Sequence, residues 1–333
     1  MQSRRFTLML TLLAAAVLLI MLASVFIGRY PEPFWMPPAL MGQDPLAKRL
    51  LLSLRLPRLL TALTLGMTLS AAGSVLQMIF RNPLVEPGFL GVSQGAAFGA
   101  ALSILWFSSH PVTIELSATF FGLLGLLTSY WLSTRVRFGG WILRLILSGI
   151  AVSAIFSSGI GILKYIADPL SELPEITFWL LGGLYRVTWQ DFVYVLPFAA
   201  VGLVTVWLMR WRLNLLCLHD ATAFSLGASL TRERLILLVT IISATAALTA
   251  ISGIIGWVGL IIPHIARRLA GASAEKSLPV AMLLGGGFTV ASDTLARTML
   301  AGEIPLGILT SAIGAVLFIY LMMSMGWKAR HHG

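Results

Sequence analysis

"LILLVTIISATAALTAISGIIGWVGLIIPHIA" (residues 235–266) runs for 32 residues without a formal charge. A helix that crosses the ~30 Å hydrocarbon core needs roughly 20 residues at about 1.5 Å each. The stretch is therefore too long for one crossing and too short for two with a turn. Its middle, "ISGIIGWVG" (251–259), holds Gly253, Gly256 and Gly259. Glycine is the residue that most readily leaves helical geometry. The reading is one full span, a break, and a short helix that does not cross the whole core. Broken helices of this kind are common in transporters.

The rest of the chain agrees with a membrane reading. Of 333 residues, 58% are hydrophobic and 11% charged, where soluble domains carry about 25% charged residues. The apolar residues come in long runs, and in lipid a helix is the element that satisfies its own backbone. The class is a polytopic all-α membrane protein, with the whole chain, 1–333, as one transmembrane domain. The formal net charge of +10 does not point to nucleic acid, because the basic residues sit in small clusters between apolar runs. A single cysteine, Cys217, excludes an internal disulfide and a cysteine metal cluster. Residues 2–28 could pass for a signal peptide, but the apolar run exceeds the usual 7–15 residues, so it reads as the first helix.

Ten spans are expected near 6–28, 57–80, 91–108, 114–134, 142–166, 191–209, 235–252, 254–269, 279–300 and 306–327. The basic clusters Arg4–Arg5, "RVRFGGWILR" (135–144), "RWRLN" (210–214), "TRER" (231–234), "ARR" (266–268) and "KARHH" (328–332) then share one face. The positive-inside rule makes that face cytoplasmic, with both termini inside. Residues 29–56, 167–190 and 301–305 lie outside. Arg29, Lys48, Arg49, Arg55 and Arg58 break the rule, more basic residues than snorkelling explains. Pro57 reads as the start of span two, which places Arg58 in a first turn, where the helix dipole disfavours a cation. A faint repeat, Gly73 with Pro83 and Gly253 with Pro263, suits two inverted five-helix halves.

Four segments carry the functional reading. "FRNPLVEPGFLGVSQGA" (80–96) cannot continue a helix through its prolines and should be a shaped turn. "RLNLLCLHDATAFSLGASLTRER" (212–234) is the longest cytoplasmic loop. Its "DATAFSL" predicts a short amphipathic helix with Asp220 as N-cap and Gly227 at its end. It is either an interfacial connector or a docking knob. His264, beside Pro263, reads as a packed histidine with no partner at metal-ligand spacing. Asp293 and Arg297 stand at i,i+4 and are expected to pair. Asp293 is the best candidate for an ion-coupled site, so a secondary carrier is the alternative function. No phosphate-binding G-x-x-x-x-G-K-[ST] motif is present, so the chain is not expected to hydrolyse ATP.

The motifs "RLPR" (55–58), "GSVLQMIFRNPLVEPGFLGVSQGA" (73–96), "LNLLCL…A..LG" (213–227), "GIIGWVGLIIPH..R" (253–267) and "SDTLAR…EIPLGILT" (292–310) together resemble the FecCD-type (BtuC-like) permeases of binding-protein-dependent ABC importers. Nearly the whole chain is covered. The resemblance implies the type II importer permease fold, ten helices per subunit, in the bacterial inner membrane. It implies a homodimer around a central path, two cytoplasmic ATPase subunits that use ATP, and a periplasmic binding protein. The cargo would be a metal chelate, iron–siderophore or haem first, with cobalamin or an oxyanion also within the family. The chain itself would hold no cofactor and no metal. By the same resemblance, Asn82, Pro83 and Leu84 line the cytoplasmic gate. Residues 213–227 become coupling helices, with Leu218, Asp220, Ala223, Leu226 and Gly227 seating in the ATPase. Arg55, Arg58 and Arg297 pair with glutamates of the binding protein.

Overall fold

A computed structural model describes residues 2–32, 34–107, 110–300 and 302–331. Helices account for nearly all the regular structure, and no strand occurs among the described residues. They are α1 (Gln2–Phe26), α2 (Pro45–Ile79), α3 (Val92–Phe107), α4 (Pro111–Arg135), α5 (Trp141–Ile166), α6 (Glu172–Leu181) and α7 (Trp189–Leu208). After them come α8 (Arg210–Leu216), α9 (Asp220–Ser225), α10 (Leu230–Ser252), α11 (Val258–Ala270), α12 (Ala274–Ala296) and α13 (Leu306–His331). Eight of these are long and apolar enough to cross a membrane, while α3 and α11 are shorter. The ten expected segments are all present. The end bearing the clusters at 135–144, 210–214 and 231–234 is called the basic end below.

Helix α2 is the centre of the bundle, packed against α7, α10, α11 and α12. Small residues let the backbones close. A Cβ on Gly66 would overlap the carbonyl of Gly285, and one on Gly73 would overlap that of Gly259. Close approach through small residues is the means of helix association where the solvent is itself apolar. The first helix is built into the bundle rather than standing apart. It packs along α12, and Thr294 Oγ1 donates to Ser24 Oγ at 2.8 Å.

The break in the 235–266 stretch falls where the glycines place it. Helix α10 ends at Ser252, residues 253–256 form no regular structure, and α11 begins at Val258. Gly253 (φ 65°) and Gly182 (φ 69°) take left-handed backbone, and a Cβ on Gly253 would overlap the Trp179 carbonyl. Trp257 adopts φ 72°, a rare conformation for a bulky residue. The unwound backbone is satisfied from beside it, since the Gly183 N–H donates to the Ser252 carbonyl at 2.7 Å.

Two expectations need correction. Span two does not start at Pro57. Asp44 caps the helix by accepting from the Leu46 N–H at 2.8 Å, and Pro45 opens it. Pro57 is accommodated because residues 50–55 form a π-helical turn in which the Leu56 N–H donates to Leu51. That widened register makes room for the ring. Arg58 is therefore about three turns inside the helix, and the dipole argument for it fails. The segment 167–190, between expected spans, contains α6, which carries Glu172 and Glu175 in its first turn, where the dipole favours acids. Second, Asp220 does not cap α9. It is the first helical residue after His219 and makes no cap bond, because its carboxylate is turned to two arginines.

Candidate functional site

At the end opposite the basic one, Arg55, Arg58 and Arg297 converge on one cavity of about 350 Å³, together with Arg29, Tyr185 and Glu303. Each of the three is already engaged within the chain. Arg58 donates from Nε and Nη2 to Asp293 at 2.9–3.0 Å and from Nη1 to Glu303 at 2.8–2.9 Å. Arg55 Nη1 donates to the Val25 carbonyl at 2.8 Å, and Arg297 Nη2 donates to the Ser24 carbonyl. Those carbonyls belong to the last turn of α1, where a helix end leaves acceptors unmet and favours cations.

The expected Asp293–Arg297 ion pair is present but long, with Arg297 Nε 3.9 Å from Asp293 Oδ2, whereas Asp293 makes its short bonds with Arg58. Helix α12 stops at Ala296, so Arg297 occupies the cap and swings to α1. Asp293 is fully buried and neutralised by a fork-to-carboxylate pair, the strong form of a charged hydrogen bond. Its fixed partner means that the Asp293 carboxylate is not free.

At the basic end, the 80–91 turn and the 210–228 segment form one assembly. Asn82 shapes its turn by accepting from the Leu84 N–H at 3.0 Å. Arg81, at φ 51°, reaches from this turn to the Leu218 carbonyl and to Asp220 at 3.3 Å. Asp220 also takes two bonds from Arg234 of α10, at 2.7 and 3.2 Å. Hydrogen bonding from Arg234, then the charges of Arg234 and Arg81, outweigh partial burial and hold the Asp220 carboxyl below its usual range. Asn214 accepts from the Ala274 N–H at 2.8 Å, tying α8 to the start of α12. Arg212 donates to Glu233 at 2.6 Å. The segment is thus bolted to α10, to α12 and to the turn after α2.

Its outward side is apolar. Phe224 is 74% exposed, Leu226 56% and Leu218 38%. Gly227 (φ 81°) ends α9 with the paired bonds Ala228 N–H to Ala223 and Gly227 N–H to Phe224, the motif glycine permits at a helix end. Ala223 is fully buried, so it packs the knob against its base and presents nothing. Phe224, not singled out from the sequence, is the most exposed of its apolar residues. Pro83 and Leu84 are exposed at the tip of the 80–91 turn.

Between the two ends, the break at 253–257 faces a cavity of about 250 Å³ lined by Glu86, Gln94, Ser153, Thr245 and Thr249. The Trp257 N–H donates to the Glu86 carboxylate. The strained residue before α11 is thereby joined to the turn after α2. Gln77 accepts from Arg267 at 2.6 Å and donates to the Leu260 carbonyl at 3.0 Å, a second tie between the same helices.

Comparison with known proteins adds the following. The model of the FecCD transport family matches residues 14–324. The molybdate import system permease protein MolB of Haemophilus influenzae is 38% identical over 311 residues, 91% of each chain. The hemin transport system permease protein HmuU of Yersinia pestis is 37% identical over 281 residues, 82% of each chain. A solved structure described as an inward-facing conformation of a metal-chelate type ABC transporter superposes with a TM-score of 0.87 at 37% identity, covering 95% of this chain and 99% of that one.

Proposed function

Because the chain belongs to the FecCD transport family, a family of multi-pass ABC permeases, we propose that it is the membrane subunit of an ATP-driven importer. Two copies form the passage in the inner membrane. The basic end faces the cytoplasm and seats two ATPase subunits, and the opposite end receives a periplasmic binding protein. The cargo is a metal chelate, iron–siderophore or haem first. Chelates and oxyanions both occur in the names of relatives, such as hemin and molybdate, so cargo choice is assigned to the binding protein.

One observation carries this reading: an apolar knob, Phe224 and Leu226, stands out of a segment that is otherwise tied to three elements of the bundle. A connector has no use for exposed phenyl and leucyl groups beyond the membrane; a docking surface does. Closure of two ATPases would move the knob. Its ties to α10, α12 and the 80–91 turn would pass that motion to the gate residues Asn82, Pro83 and Leu84, as rigid-body rocking requires. At the other end, docking is assigned to the rim of the cavity that Arg55, Arg58 and Arg297 line, where Glu303 is 41% exposed beside Arg58.

Co-purification tests the assembly. The chain with its ATPase should run as a complex of two copies of each by mass measurement. A one-to-one complex would overturn the dimeric passage.

A further inference from the structure

A cavity of about 380 Å³ opens where α4 ends and α5 and α10 begin. Neither gate nor knob accounts for it. Its polar lining comes from Arg144, Arg234, Ser133, Thr134, Thr231 and Asp220, with Trp141, Leu235 and Leu238 as its apolar wall. The volume falls within the range of small-ligand sites.

The charge in and around this cavity is unbalanced. Asp220 is the one carboxylate in the lining, and it already answers Arg234 and, outside the cavity, Arg81. Arg144 has no carboxylate partner among the described residues. It donates from Nη1 to the Val136 carbonyl at 3.0 Å. The Nε atoms of both Arg144 and Arg234 are buried without an acceptor. The Arg234 guanidinium lies 5.3 Å from the centre of the Trp141 ring, which fixes it but adds no negative charge. Two arginines in a half-closed cavity with less than one carboxylate between them call for an anion. Helix α5 starts there without a side-chain cap, so its first amide groups add to the positive field.

The surroundings say which anion. Trp131 and Leu143 are 56 and 47% exposed on the adjoining helix ends, Phe138 is 63% exposed in the turn between them, and Leu235 is 39% exposed at the cavity itself. Exposed tryptophan with aliphatic neighbours at a helix end marks the level of lipid headgroups. Basic pockets between membrane helices at that level suit anionic headgroups. We propose that this cavity binds the phosphate of an anionic phospholipid from the leaflet at the basic end. Arg144 is its main contact, and the acyl chains run down the apolar faces of α5 and α10. Because Arg234 also holds Asp220, the headgroup would steady the base of the knob. The site depends on the membrane fold alone and stands or falls separately from the importer reading.

The test is native mass spectrometry of the purified full chain, equilibrated with equal amounts of phosphatidylglycerol and phosphatidylcholine. The wild type should retain phosphatidylglycerol in preference, and Arg144→Gln should lower that retention about tenfold with phosphatidylcholine unchanged. Leu235→Trp, which fills the cavity without changing charge, should lower it as well; this variant guards against a folding defect in the first. Thermal stability supplies the second arm: phosphatidylglycerol should raise the wild-type midpoint, and inorganic phosphate should not. Retention by both variants at the wild-type level would overturn the proposal. An equal rise with inorganic phosphate would overturn the lipid as its source.

Discussion

Arg58 donates to Asp293 Oδ1 from both Nε and Nη2, at 3.0 and 2.9 Å, and so joins α2 to α12 across one of the most extensive helix contacts of the bundle. Arg58 side-chain exposure is 12% and Asp293 is fully buried. Removing one member of such a pair strands the other as an uncompensated charge, at a cost of about 3–5 kcal/mol. Arg58→Met should therefore lower the thermal midpoint of the purified protein sharply. Arg58→Met with Asp293→Leu should recover most of the loss. A double variant as unstable as the single one would show that the pair does not set the α2–α12 contact.

Glu303 shares Arg58 with Asp293 but is 41% exposed. It occupies the guanidinium edge that an incoming carboxylate would use. Glu303→Gln should leave the fold intact, since Asp293 keeps Arg58 in place, and should raise the association rate of the binding protein severalfold at low salt. Surface plasmon resonance against immobilised binding protein checks this; a slower association would place docking elsewhere.

The knob gives a pair of contrasting variants. Phe224→Asp alters an exposed group and should abolish ATPase co-purification while the permease keeps its thermal midpoint. Ala223→Glu forces a carboxylate into a buried position and should lower the midpoint as well. Equal loss of stability in both would mean that Phe224 belongs to the core of the segment.

The 210–228 segment shows what could be read from residues and what could not. The helix 220–225 and its glycine stop were legible, because a Gly after an amphipathic run has few other uses. The break after Ser252 was legible for the same reason. Burial was not: Ala223 and Phe224 are neighbours in "DATAFS", and only the direction of a six-residue helix decides which faces out. The partners of the arginines were not legible, because the positive-inside rule treats a charge only by its side of the membrane. Arg55, Arg58 and Arg297 are placed instead by acceptors distant in sequence, at Val25, Asp293 and Ser24. Helix 45–55 was hidden by Lys48 and Arg49, which resemble loop residues until Asp44 and Pro45 are weighed as a start signal.

Asp220 links the knob to pH. Its folded-state pKa is depressed, chiefly by the Arg234 hydrogen bond. The bond therefore stabilises the segment above the unfolded value near 4, and that contribution is lost as pH falls through the lower folded value. Hydrogen exchange of residues 218–228 should rise on acidification below about pH 4 in the wild type. Asp220→Asn should exchange fast throughout and lose this dependence. Identical profiles would remove the Asp220–Arg234 bond from the account.

Gly253 holds the break between α10 and α11, with left-handed backbone and the Trp179 carbonyl against its Cα. Gly253→Ala should cost roughly 1–3 kcal/mol through strain and overlap. Thermal unfolding measures it; an unchanged midpoint would mean that the break is not fixed by this residue.

Passage of cargo through this chain is tested by uptake of a labelled iron–siderophore, haem, cobalamin or molybdate into sealed proteoliposomes that hold the chain and its ATPase, with the binding protein outside and ATP within. Uptake of one of these cargoes should require ATP, the binding protein and an intact Phe224. Accumulation driven by an ion gradient alone, with neither ATP nor ATPase, would contradict the account.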